Sequence, residues 1–157
     1  MKKSVALLLL MAMFVYCGCA KDPVKEDFLK YINDDEKLSS LQTECETLYG
    51  SEAGTNFKNY ESTLRILELV IPKYQDYLDQ LKKMKYTTPE VLNLQNIQIQ
   101  CVQARYNFLH NLQYSLIDPS NQMAVIKAEE EQQKVDTCYR DWKAKVIQVA
   151  NDHKVKR

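Results

Sequence analysis

Residues 57–81, FKNYESTLRILELVIPKYQDYLDQL, decide the fold. Phe57, Tyr60, Leu64, Leu67, Ile71, Tyr74, Leu78 and Leu81 recur by threes and fours without a miss. That spacing makes a narrow apolar seam on one side of a helix, like the seam of a coiled coil or helical bundle. Pro72 falls inside the stretch and removes a hydrogen bond to the carbonyl of Glu68. The apolar phase runs straight through it, so the pattern predicts one kinked helix rather than two.

The same period appears on both sides. Upstream, Asp22-Pro23 is a helix start, since an aspartate accepts orphan N–H groups and a proline is preorganised for the first helical position. Val24, Phe28, Ile32, Leu38, Leu41, Cys45 and Leu48 follow at helical spacing, with Asn33 to Lys37 as a polar interruption and Gly50 as the expected stop. Gly50 to Thr55 reads as the turn. Downstream, Thr88 is the expected cap, Pro89 the first helical residue and Glu90 a charge suited to the positive helix end. Leu94, Ile97, Cys101, Ala104 and Phe108 form one stripe there, with Leu92, Ile99, Val102, Tyr106 and Leu109 beside it. Asp118-Pro119 is expected to open the last helix. Its inner side would be Met123, Ile126, Val135, Cys138, Trp142, Val146 and Val149, and it would fray in the basic residues Lys154, Lys156 and Arg157. Helices joined by turns this tight run antiparallel to their neighbours. The expected fold is all-α, an up-down bundle of about four long helices over residues 23–157. With only 3 glycines and 4 prolines in 157 residues, a turn-rich β fold is disfavoured.

The beginning of the chain reads differently. Lys2 and Lys3 precede an apolar run from Val5 to Tyr16, and Gly18 stands before Cys19. A basic start followed by about 7–15 apolar residues is the layout of a secretory signal, and it falls short of the roughly 20 residues that span a bilayer. Tyr16-Cys17-Gly18-Cys19 resembles the lipobox of a bacterial lipoprotein. Gly18 fits the small residue before the cysteine, while Tyr16 and Cys17 depart from the usual aliphatic and small residues. The resemblance implies a signal peptide at 1–18, a diacylglycerol on Cys19, a lipidated tether at 19–22, and a place on the outer face of the cell membrane or in the outer membrane. Palmitate-type chains at ~0.8 kcal/mol per buried methylene would anchor it stably once two or more are present. Two alternatives stay open: ordinary cleavage releasing a soluble protein from Lys21, and an uncut weak anchor. The remainder is similar in general character to small helical lipoproteins of bacteria, a likeness that transfers no functional residue.

Formal charges balance at 21 basic and 21 acidic residues, and no basic stripe exists. Nucleic acid is therefore not an expected partner. After Cys19 is spent on lipid, Cys45, Cys101 and Cys138 remain, where export would let a disulfide persist. If the third turn is centred near Asp118-Pro119, Cys101 stands level with a residue near position 136, within roughly 3 Å of helix rise from Cys138. A bridge needs Cα atoms roughly 4.4–6.8 Å apart, so the pair is either a disulfide or two buried apolar cysteines. Cys45 is expected near the opposite end, level with Tyr60, and free.

No motif for catalysis, metal or cofactor is present. His110 and His153 are the only histidines, on different helices, and no Glu-x-x-His pair accompanies them. Glu129, Glu130 and Glu131 point in different directions on a helix and read as a solvated face. The third helix is unusual. From Val91 to Ile117 its one formal charge is Arg105, and its polar positions are amides. Bundle helices facing water usually carry lysine and glutamate, so this face is expected to be covered, either by its own domain or by a protein or glycan of the cell envelope. Interfaces deplete charge and favour tyrosine and arginine, which makes Arg105, Tyr106 and Tyr114 the expected anchors. The expected function is a non-enzymatic binding or scaffold module, lipid-anchored outside the cytoplasm. The alternative is a soluble or tethered periplasmic chaperone that holds client proteins.

Overall fold

The computed structural model describes residues 21–53 and 56–155. The signal segment, the lipobox and Cys19 lie outside the described residues, as do Lys156 and Arg157. Four helices follow one another: α1 Pro23–Glu52, α2 Tyr60–Lys83, α3 Pro89–Ile117 and α4 Gln122–Asp152. The protein is an all-α helical bundle, and among the described residues there is no strand.

Local chemistry sets the helix ends, in several places differently from the sequence reading. Asp22 caps α1 as expected, accepting the N–H groups of Val24 and Lys25 at 3.1 Å. At the far end α1 runs through Gly50 to Glu52, and Ala53 closes it by donating to the Tyr49 carbonyl at 3.1 Å. Gly50 needs no left-handed turn there, because the Asn56 amide donates to its carbonyl. Asn59 caps α2 through the Ser62 N–H at 2.8 Å, so Phe57 precedes the helix and stands exposed. Thr88 occupies the cap position of α3 but makes no capping bond. Instead Asp27 of α1 accepts the N–H groups of Thr87 and Thr88 and the Thr88 hydroxyl, all at 2.8 Å. Asp118-Pro119 does not open α4. The Asp118 carboxylate is taken by Ser120, the Asn121 N–H closes a turn on the Asp118 carbonyl at 3.0 Å, and Asn121 caps the helix through Ala124. Pro119 thus fills the second position of a β-turn, where its fixed φ is favourable.

α2 continues unbroken through Pro72, which lies with Glu68 on the exposed side where water can serve the freed carbonyl. The end of α4 is closed rather than frayed. The Val155 N–H donates to the Ala150 carbonyl at 2.8 Å around Lys154, whose φ is +53°, the arrangement that satisfies last-turn carbonyls.

Successive helices pack as antiparallel neighbours, and α3 also touches α1. α1 and α4 meet sparingly, and no Cα atoms of α2 and α4 come within 8 Å of each other. The wall between α3 and α4 is tied by a disulfide joining Cys101 and Cys138, with Cα atoms 5.3 Å apart. The core divides into two clusters. The larger gathers Leu38, Cys45, Leu67, Tyr74, Leu78 and Leu109. The smaller, near the chain ends, gathers Phe28, Tyr31, Val91, Leu94, Val146 and Val149. Each large apolar side chain so buried contributes about 1.5–3 kcal/mol.

Two expectations about phase need correction. Met123 and Ile126 are exposed, and the first turns of α4 bury Ala124 and Ala128 instead. The phase is set by Val135 and Cys138, which place the alanines inward at three- and four-residue intervals. Cys45 is buried and free, but it stands level with Lys73 and Tyr74 rather than Tyr60, since Glu44 pairs with Lys73 and Glu46 accepts from Tyr74. α2 begins only at Tyr60, and Thr63 in its first turn donates to the Glu52 carbonyl at 3.1 Å.

Candidate binding face on the third and fourth helices

The amides of α3 divide by face, and the bundle uses some of them itself. Gln95 is buried and donates to the carbonyls of Leu81 and Met84 at 2.7 and 2.9 Å, closing the end of α2. Gln98, 1% exposed, sits at the centre of a buried network. Its Oε1 accepts from the Tyr31 hydroxyl at 2.7 Å, and its Nε2 donates to Asp35 at 2.5 Å. The Tyr31 hydroxyl in turn accepts from Trp142 Nε1 at 2.7 Å. Burial pushes the Tyr31 phenol far above its ordinary range, so it stays a neutral donor. Within the polar interruption of α1, Asn33, Glu36 and Lys37 face water, while Asp35 turns to this network and has Gln98 as its partner.

Arg105 belongs to the inside as well. It is 8% exposed, which removes it from any docking surface. Its guanidinium donates to Glu46 Oε2 at 2.9 Å and to Gln132 Oε1 at 3.1 Å, and lies 4.9 Å from the ring centre of Tyr49. Burial works against this charge, but the Glu46 carboxylate and the Tyr74 phenol outweigh it and raise the Arg105 pKa. The one basic residue of α3 thus ties three helices together.

Tyr114 faces outward, whereas Tyr106 is half-buried, one side packed on the larger core cluster and the other lining a groove, and the structure inserts His110 between them. The His110 ring meets Tyr106 edge-on at 4.6 Å and stacks beside Tyr114 at 6.2 Å. Tyr114 is 56% exposed. Spacing by four residues lays the three rings along one helical row. A groove of about 470 Å³ runs beside this row, with Asn107 and Asn111 of α3 and Lys127, Glu130 and Glu131 of α4 on its walls. A second groove of about 740 Å³ shares Glu130 and continues past Ala104 and Gln100 to Ile97, with Cys138 on its edge. Together they follow the outer seam of the α3–α4 hairpin. His110, Asn107 and Glu130 were not among the expected residues; the four-residue spacing of Tyr106, His110 and Tyr114 is the signal that could have found His110, while Glu130 comes from the other helix and has no such signal.

Asn107 Oδ1 accepts from Gln103 Nε2 at 3.0 Å, which leaves its amide NH2 as the free donor. Asn111, Glu130 and Lys127 have no hydrogen-bond partner among the described residues. Glu131 is paired with Lys134 at 2.7 Å. The groove can therefore offer ring faces, amide donors and acceptors and one free carboxylate.

Two other ionisable sites are committed to the fold. Burial raises the Cys45 thiol to about 11, far from a reactive thiolate. At the chain ends His153 Nδ1 lies 2.6 Å from Asp22 Oδ2, and that bond lowers the Asp22 pKa. Among the described residues no three metal-ligating side chains gather, and no helix is long and apolar enough to cross a membrane. No family model, curated protein or solved structure matches this chain.

Proposed function

We propose that this protein is a non-enzymatic binding module, held by lipid on Cys19 at the outer side of a bacterial membrane, that engages an envelope partner through the outer face of α3 and α4. The observation that carries the reading is the row Tyr106, His110, Tyr114 beside the groove, on a helix whose only formal charge beyond Glu90 in its first turn is turned inward. Surface helices left uncharged and aromatic fit the composition of interfaces better than that of solvated faces. The anchor rests on the basic start, the apolar run and Gly18-Cys19. Asp22 begins α1 and meets His153 at the end of α4, so the tether would join the bundle at one end and leave the groove free along its side.

Intact mass of the protein isolated from membranes, with Cys19→Ala beside it, tests the anchor. A mass fitting residues 19–157 plus acyl chains, lost in the variant, supports it; an unmodified soluble chain from Lys21 sinks it. A photo-crosslinking residue at position 114, with one at exposed Lys143 as control, tests the face. Adducts at 114 alone support the reading, and equal labelling at both positions refutes it.

A second reading, a chaperone for client proteins, is favoured by one observation. Phe57, Tyr60, Ile117, Met123, Val125 and Ile126 are all exposed at the end of the bundle that carries the α1–α2 and α3–α4 turns. Strong binding of an apolar dye to the folded protein would support this reading over the first.

A further inference from the structure

We infer that the occupant of the Tyr106–Tyr114 groove is a neutral oligosaccharide; this rests on the binding reading above and names its ligand. A pyranose ring has two kinds of surface. Its axial C–H bonds make apolar patches that lie on aromatic faces, while its rim of hydroxyls needs planar groups that donate and accept at once. The groove supplies both in alternation. Tyr106, His110 and Tyr114 rise by about 6 Å per step along α3, close to the length of one sugar unit. Between them Asn107 offers the NH2 left over from its bond to Gln103, and half-buried Asn111 offers both ends of an amide without a competing partner. Across the groove Glu130 accepts, and Lys127 donates.

Charge selects among ligands. α3 presents no formal charge to the groove, and the Glu131 carboxylate is already neutralised by Lys134. The free pair, Glu130 and Lys127, sums to zero. A polyanion would find no cationic stripe here and a polycation no acidic one. An amphipathic helix would need a continuous apolar strip, whereas this half of the groove alternates ring with amide. A chain of neutral sugars meets both conditions. The site is open and its hydrogen bonds compete with water, so an affinity near millimolar for a short oligomer is expected.

The test uses the protein as isolated from cells, isotope-labelled, titrated with chitotetraose and with cellotetraose and followed by NMR. Side-chain amide signals of Asn107 and Asn111 and the His110 ring should move and saturate, while exposed Asn93 and Asn96 on the same helix stay still. Tyr114→Ala should weaken binding by about fivefold or more without changing the melting temperature, and Tyr114→Phe should retain it. No saturable shift with either sugar, or equal shifts at Asn93, overturns the inference. If the sugars fail while crosslinking at position 114 still gives a discrete adduct, the docking reading survives with a protein as its partner and the sugar inference falls. Failure of both removes the face itself.

Discussion

Reducing the Cys101–Cys138 bridge should lower stability by about 3.8 kcal/mol. The bridge closes a loop with a sequence separation of 37, and the chain-entropy relation gives a loss of about 13 cal/mol/K of unfolded-state entropy for that length. At about 2.1 cal/mol/K of unfolding entropy per residue, this domain should then melt about 14 °C lower. The reagent of choice is the wild-type protein with a thiol-free phosphine reductant, because Cys45 is the one other cysteine among the described residues and is buried. Urea unfolding followed by far-UV circular dichroism gives the free energy. The slope with urea should also rise, since the freed loop lets the unfolded chain expose more surface. The Cys101→Ala/Cys138→Ala variant should fall slightly further, because buried Cys101 also loses the packing of a sulfur. A melting temperature lowered by less than about 4 °C, with unchanged urea slope, would refute the reasoning. It would mean that the α3–α4 hairpin already holds its ends together in the unfolded ensemble.

Three further outcomes follow from the buried polar groups. Arg105→Ala should destabilise by about 2–3 kcal/mol in urea unfolding, less than the roughly 3–5 kcal/mol of a fully buried pair because the Glu46 side chain is 43% exposed, while Arg105→Met should recover some of that. Asp27→Ala should cost about 1–3 kcal/mol at neutral pH by orphaning the Thr87 and Thr88 N–H groups. Burial opposes the Asp27 charge, yet those donors hold its pKa below the ordinary value, so its contribution is complete above the unfolded pKa of about 3.9 and disappears as pH falls through the lower folded one; melts of wild type and variant against pH should converge only in that acid window. Cys45 should resist alkylation in the folded protein at neutral pH and react once urea unfolds it, as its thiol is buried and raised to about 11; fast native labelling read by mass would contradict this.

The sequence makes the architecture legible because a helical period needs no knowledge of what lies across from it. The cap at Asp22 and the starts with Pro23 and Pro89 are equally local, and they stand where they were expected. What the sequence hides is pairing over long separations. Asp27 serves the start of α3 from 61 residues away, which makes the capping hydroxyl of Thr88 a donor instead. Arg105 finds Glu46 across 59 residues, so a lone charge that reads as an exposed anchor is an internal tie. Alanine carries little apolar signal, and for that reason Ala124 and Ala128 lost the inner stripe of α4 to larger neighbours that in fact face water. The groove itself was half legible. Tyr106 and Tyr114 were found by composition, whereas the walls from α4 depend on a hairpin register that only the folded chain displays.

The start of α1 and the end of α4 lie at one pole, and this has a mechanical meaning. Asp22 and His153 touch, so a force drawn between residues 21 and 155 pulls across the helix axes and not along them. α1 meets α4 at few places, and those contacts would break in succession, beginning with Asp22–His153 and moving toward Tyr31–Trp142. Such peeling yields at lower load than sliding helices lengthwise past each other. A pull on the tether against a ligand gripped midway along α3 takes the other direction: it runs lengthwise through α1, and the contacts of Asp27 and Arg105 share it simultaneously. In the function proposed above, the same bundle would be soft to a tug between Asp22 and His153 and stiff between the tether and a ligand in the groove.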